Sequence, residues 1–169
     1  MLIDCSYFTK GPRHILNASM GKLPNPNAME VNAAIEAYIC GYQPEWLRRM
    51  CGDNVGPRLH AYLVCLDEDE EPRRIASLDA VCDRLREAFA DYVFYRILRD
   101  AGSQATVTGL VQLKCANTYV SPIRRQVSAW RDMVGRNRDF VQWCRSGECP
   151  IGGITTDEDM TTCINTLNL

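Results

Sequence analysis

The sequence predicts a mainly α protein, a helical bundle in which two long helices are separated by a short β-like hairpin or strand excursion. Three observations carry this. Apolar residues recur at three- and four-residue spacing over most of the chain. Capping residues and glycines bracket the two longest such runs. Between those runs "TVTGLVQLKCANTYVSP", residues 106–122, places apolar side chains at every second position instead.

With 169 residues the chain has the size of one domain with flexible ends. Its segments divide into an irregular N-terminal arm over 1–27, a helical domain over 28–146 and a flexible C-terminal tail over 147–169. The hydrophobic fraction of 46% and charged fraction of 24% fit a soluble globular protein and suggest neither disorder nor membrane residence. No apolar run approaches the ~20 residues that cross a bilayer, and Asp4 interrupts "MLIDCSYF" before a signal-peptide core can form. A protein made and kept in a cytoplasm, without a membrane partner, is expected. A net charge of −2 argues against non-specific nucleic-acid binding by the chain as a whole.

In the arm, "TKGP" and "KLPNPNA" are breaker clusters, and Tyr7, Phe8, Ile15 and Leu16 are its apolar anchors. Asn27 is the expected cap of a first helix with Val31, Ala34, Ile35, Tyr38 and Ile39 on one face, ended by Gly41. "QPEWLRRMCG" begins a second, short helix with Pro44 in its first turn. After "DNVGP" a third covers 58–66, with Leu59, Tyr62, Leu63 and Leu66 inward. "DEDEEPRR", residues 67–74, reads as a solvated acidic connector, since it lacks the glycine turn and alternating ligands of a calcium loop.

The longest helix is capped by Ser77, carries Asp79 in its first turn and stops before Gly102. Leu78, Val81, Cys82, Leu85, Phe89, Tyr92 and Val93 form its core stripe. Phe94 and Leu98 lie on the opposite side, so its second half needs cover on two faces, from its own chain or a neighbouring subunit. In "TVTGLVQLK" the expected partner-facing residues are Val107, Leu110, Val111 and Leu113. A lone strand leaves backbone groups unpaired, so this stretch folds back through Gly109 or pairs with the N-terminal "MLIDCSYF" or another subunit.

Ser121 and Pro122 are the expected cap and first position of the second long helix, which runs to about Arg145. Ile123, Val127, Trp130, Val134, Asn137, Val141 and Cys144 form a seam, with Asn137 either bonding across it or facing solvent at its edge. Arg124, Arg131, Arg138 and Arg145 recur every seven residues and line up as a basic stripe. Trp143 falls on the polar side near Arg136 and Asp139, exposed for a partner or covered by the tail. Residues 121–146 carry a net +4 and residues 67–100 a net −4, a complement suited to pairing within one molecule or between copies. In the tail, Thr156 and Asp159 resemble a capping arrangement for a short helix over "DEDMTTCINTL".

Catalytic patterns are missing from the text of the chain: it has no GxSxG, P-loop, GxGxxG after a strand or HExxH. No catalytic, cofactor-binding or metal residue is therefore assigned. His14 and His60 lie in different segments, and nine scattered cysteines form neither a disulfide framework nor a zinc motif, so they read as reduced thiols acting as small apolar residues.

The long "LDAVCDRLREAFADYVFYRILRDAG", the loop "SQATVTGLVQLKCANTYVSP" and "IRRQVSAWRDMVGRNRDFVQWC" together resemble the head–tail connector (adaptor, neck) proteins of tailed bacteriophages and prophages. The resemblance covers roughly residues 28–146 and is one of layout; "SYFTKGPRHI" and the cysteine-bearing tail lie outside it. It implies a non-enzymatic virion protein, made in the bacterial cytoplasm, whose copies form a ring. The ring would sit between the portal protein and a downstream neck or tail protein and extend the DNA channel. On that reading Val107, Leu110, Val111, Leu113, Phe94, Leu98 and Trp143 are subunit or partner surfaces. The stripe of Arg124, Arg131, Arg138 and Arg145 would then line the lumen, in non-specific contact with DNA, or make inter-subunit salt bridges. No cofactor is implied. The main alternative is a non-viral helical adaptor that docks a cellular partner, with a DNA-binding protein or an enzyme behind it.

Overall fold

The computed structural model describes residues 1–20, 26–68, 73–100, 103–106, 109–112 and 122–163. The fold is mainly helical. Two 3₁₀ turns, Cys5–Phe8 and Gly11–Arg13, precede α1 (Pro26–Glu68), α2 (Ala76–Asp100) and α3 (Ile123–Arg145), and a third 3₁₀ turn, Glu158–Thr161, lies in the tail. Backbone pairing is antiparallel between β1 (Ser103–Thr106) and β2 (Gly109–Gln112), with Ser103 opposite Gln112 and Thr106 opposite Gly109. Most of the expected 106–122 excursion, including Val107 and Leu113, lies outside the described residues. The N-terminal "MLIDCSYF" is no strand partner: it forms the first 3₁₀ turn, with Asp4 accepting from the Ser6 amide.

The first two helices expected before residue 67 are continuous from Pro26 to a kink at Gly52 (φ 82°, ψ 172°), where the second was expected to end, and the third follows the kink; α1 comprises both parts. Gly41 does not end a helix, and Pro44 sits inside one. The buried residues Ile35, Ile39, Gln43, Trp46, Leu47 and Met50 continue one stripe straight through both, so packing overrides the local breakers. Asn27 is likewise no cap, because the helix begins at Pro26. Ala34, expected inward, is exposed. After the break at Gly52 the chain doubles back. A Cβ on Gly56 would stand 2.6 Å from the Arg48 Cα, so only glycine permits this backbone-on-backbone approach.

α2 starts one residue before Ser77, and the Ile75 carbonyl accepts from the amides of both Leu78 and Asp79. The cap expected at Ser77 is replaced by a tie to α1: the Tyr62 hydroxyl accepts from the Ile75 amide (3.0 Å) and donates to Asp79 (2.8 Å). Every residue of its predicted stripe is buried, and from Ala88 to Tyr95 the helix is buried on all sides. α1 supplies aromatic cover through Trp46 on Phe89 (5.0 Å between ring centroids) and Tyr42 edge-on to Tyr92.

α3 covers the other side. Gln126 donates to the Leu98 carbonyl, Trp130 meets Tyr95 edge-on, Arg136 meets Asp91, and Arg84 lies over Trp143. As one number rises the other falls, so α2 and α3 run antiparallel. Their contact is the most extensive between any two elements.

The α3 seam is displaced from its expected line. The buried residues are Gln126, Ala129, Met133, Val134, Asn137 and Phe140, whereas Ile123 is exposed and Val127, Trp130, Val141 and Cys144 are half-buried. The core face sits one residue earlier along most of the helix because α3 is covered twice, by α2 on one side and by the tail on the next. The helix begins at Ile123 with Pro122 in the capping position and no side-chain cap bond, and Ser121 lies outside the described residues.

Candidate interaction surfaces

The predicted interface residues separate in space. Phe94 is buried and roofed by the Arg125 guanidinium, 5.0 Å from its ring, and Leu98 is half-buried beside α3. The two-sided cover that α2 requires thus comes from its own chain. Trp143 is half-buried rather than free: it stacks near Phe140 (5.9 Å) and lies under the Arg84 guanidinium (5.0 Å). Leu110 and Val111 lie in β2, where they pair with Ala105 and Gln104.

The arginine stripe is solvent-facing throughout. Arg138 donates to the Thr161 carbonyl at 2.9 Å. Among the described residues, no carboxylate lies within ion-pair distance of Arg124, Arg131 or Arg145. The acidic helix is neutralised by different arginines. Asp91, 5% exposed, receives Arg13 Nη1 at 2.8 Å, and its Oδ2 lies 3.2 Å from Arg136 Nε without hydrogen-bond geometry. Arg13 also bonds Glu87 through its carboxylate and its carbonyl. Complementary charge therefore acts within the molecule, but through Arg13 and Arg136, which the seven-residue repeat passes over. The signal available in the sequence was Asp91 itself, a lone acid inside the apolar run "AFADYVF".

Burial pushes the Asp91 carboxyl up to about 6, against the pull of Arg13 and Arg136. It borders a cavity of about 230 Å³ lined also by Arg13, Phe94, Arg125, Ser128 and Asp132. The charges there are two arginines against two aspartates, and among the described residues no histidine or cysteine lines the cavity. Its chemistry is that of an ion cluster fixing the arm, helped by Arg125 donating to the Pro12 carbonyl. In the arm Leu2, Ile3, Cys5 and Phe8 are buried, Tyr7 and Ile15 half-buried, and Leu16, expected as an anchor, is exposed.

The described cysteines are free thiols: Cys5, Cys51 and Cys82 are buried, Cys144 and Cys149 half-buried, and Cys40, Cys65 and Cys163 exposed. Burial raises Cys5 and Cys82 to about 11 and Cys144 to about 12, and raises Cys51 as well, so none of these is a ready nucleophile. Among the described residues no group of three or more His, Cys, Asp or Glu is arranged to hold a metal ion. His60 contacts Gln43 (3.2 Å), which in turn accepts from the Leu2 amide.

The least anticipated surface is the one that carries the tail. Thr156 Oγ1 donates to the Met50 carbonyl and the Asp157 amide to the Arg49 carbonyl, both at 2.8 Å. These carbonyls belong to the last helical turn before Gly52, where a helix leaves acceptors unpaired. Arg49 binds the Asp157 carboxylate (2.8 Å), which holds that carboxyl below its usual range. Met160 is wholly buried. Three α3 side chains then grip successive tail carbonyls: Asn137 on Met160 (2.7 Å), Arg138 on Thr161 and Trp130 on Thr162 (both 2.9 Å). Asn137 thus neither crosses a helix seam nor faces solvent; it reads the tail. Residues 154–162 form a docked strap containing one 3₁₀ turn, Glu158–Thr161, capped by Asp157 rather than Thr156, and the part of the expected "DEDMTTCINTL" helix beyond residue 163 lies outside the described residues.

No family model, curated protein or solved structure matches this chain. No helix among the described residues is long and apolar enough to cross a membrane.

Proposed function

We propose that this chain is a non-enzymatic structural protein of the head–tail connector type, resident in the neck of a tailed phage virion after synthesis in a bacterial cytoplasm. Copies would assemble as a ring on the portal protein, extend the DNA channel and present a platform to a downstream neck or tail protein. The carrying observation is the row of Arg124, Arg131 and Arg145, exposed along one face of α3 and free of carboxylates among the described residues. A solvent-facing row of unneutralised guanidinium groups suits passing phosphates or the acidic face of a neighbouring copy. The layout adds support: two long antiparallel helices are joined through a segment containing paired β1 and β2. In this reading Leu110 and Val111 belong to a surface that meets a neighbouring subunit.

Mass photometry of the purified chain, alone and with the portal protein encoded beside it, tests the reading. A ring-sized species on the portal that weakens with Val111→Asp is expected. A chain indifferent to the portal would instead favour a cellular helical adaptor.

A further inference from the structure

We propose that the groove formed by the Gly52 break and α3 is a peptide-binding site whose second occupant is the strap, residues 154–162, of another copy of this chain. This inference rests on the self-association proposed above. Within one molecule the strap is bound as a peptide ligand is bound. Its main-chain carbonyls accept from α3 side chains, two of its acids, Asp157 and Asp159, meet Arg49, and Met160 is its buried apolar anchor. At the groove's entrance Gly52 lies directly against Thr155, where a Cβ would collide with the Thr155 hydroxyl. None of these contacts requires the strap to be covalently continuous with the α3 that grips it.

The connection is built to be re-routed. Between the end of α3 and the strap the backbone reverses at Gly147 (φ 82°) and Gly153 (φ 79°), and neither glycine has a neighbour within 4 Å of its Cβ position. Glycine populates positive and negative φ about equally, so straightening both turns costs little. Cys149 and Ile151 are half-buried, which holds the connection back in the isolated molecule. Extended, residues 146–153 reach ~25 Å, enough to carry the strap to an adjoining copy. Intramolecular docking wins in dilute solution because a tethered ligand has an effective concentration in the millimolar range. In a ring the neighbouring groove is presented at comparable concentration, and exchange then links subunits without any new contact surface.

The test uses full-length chain carrying Thr162→p-benzoylphenylalanine, at an exposed position beside Trp130, prepared in ¹⁴N and ¹⁵N forms and mixed in equal amounts. Photolysis at micromolar concentration, at millimolar concentration and on the portal, followed by mass spectrometry of linked peptides, separates links within one chain from links between two. Same-isotope links in the dilute monomer, with mixed pairs approaching half of all links in the oligomer, are expected. A ring containing only same-isotope links, or links from residue 162 to the portal, overturns strap exchange and leaves the ring reading standing. Failure to form any oligomer overturns both.

Discussion

The arm and the strap are both irregular segments laid over the helices, the arm on all three and the strap on α1 and α3, yet they are held by different physics. The arm buries Leu2, Ile3, Cys5 and Phe8 in the core and locks itself with Arg13 on Asp91 and Glu87. The strap buries one large side chain, Met160, half-buries Ile154, and otherwise relies on hydrogen bonds to main-chain atoms and on two partly exposed acid pairs with Arg49. Apolar burial scales with area, whereas each exchanged hydrogen bond contributes only ~1 kcal/mol net. The arm is therefore held chiefly by burial in the core, and the strap chiefly by directional bonds around one buried anchor.

The largest effect should come from the arm. Phe8→Ala removes a fully buried ring and should lower stability by about 4 kcal/mol, read as a loss of global unfolding free energy in urea. A loss below ~1 kcal/mol would erase the distinction between the two segments. Met160→Ala should cost about 3 kcal/mol but act locally: amide exchange should accelerate over 154–162 while α2 remains protected. Uniform acceleration across α2 would make the strap as integral as the arm.

Acid sharpens the contrast, because the two aspartates shift in opposite directions. Asp91 has a folded value raised from 3.8 to about 6, so the folded state binds the proton first. Its contribution to stability rises as pH falls through 6 towards 4, by roughly 1–3 kcal/mol, and is lowest above 6. Asp157 is depressed by Arg49, so its contribution is present above the unfolded value and is lost as pH falls below it. Comparing urea midpoints from pH 7 to pH 4 for the natural chain and Asp91→Asn isolates the first effect; parallel profiles would refute it. Asp157→Asn is the smallest change, below ~1 kcal/mol because the pair is partly exposed, and it should appear chiefly as faster exchange in the strap.

Much of the helical content was legible from spacing alone. The α2 stripe from Leu78 to Val93 is buried residue for residue, because a 25-residue helix repeats its pattern often enough to define a face. Local signals misled where packing opposed them. Gly41 and Pro44 looked like an end and a beginning, yet a continuous buried stripe carries α1 through both. The α3 seam held at Val134 and Asn137 but was elsewhere misplaced by one residue, because its periodicity could not distinguish a face covered by α2 from one covered by the strap.

By itself, then, the sequence determined a mainly α chain with two long helices, a two-sided burial requirement on α2 and a basic row on α3, all consequences of spacing along a regular helix. Only the tertiary structure decided which arginines neutralise Asp91, that the chain folds back at Gly52, and that Met160 belongs to the core. Those depend on groups as far apart in the chain as Arg13 and Asp91 or Arg49 and Asp157. Such pairs carry no local periodicity, and they form only once the helices have set the distances between them.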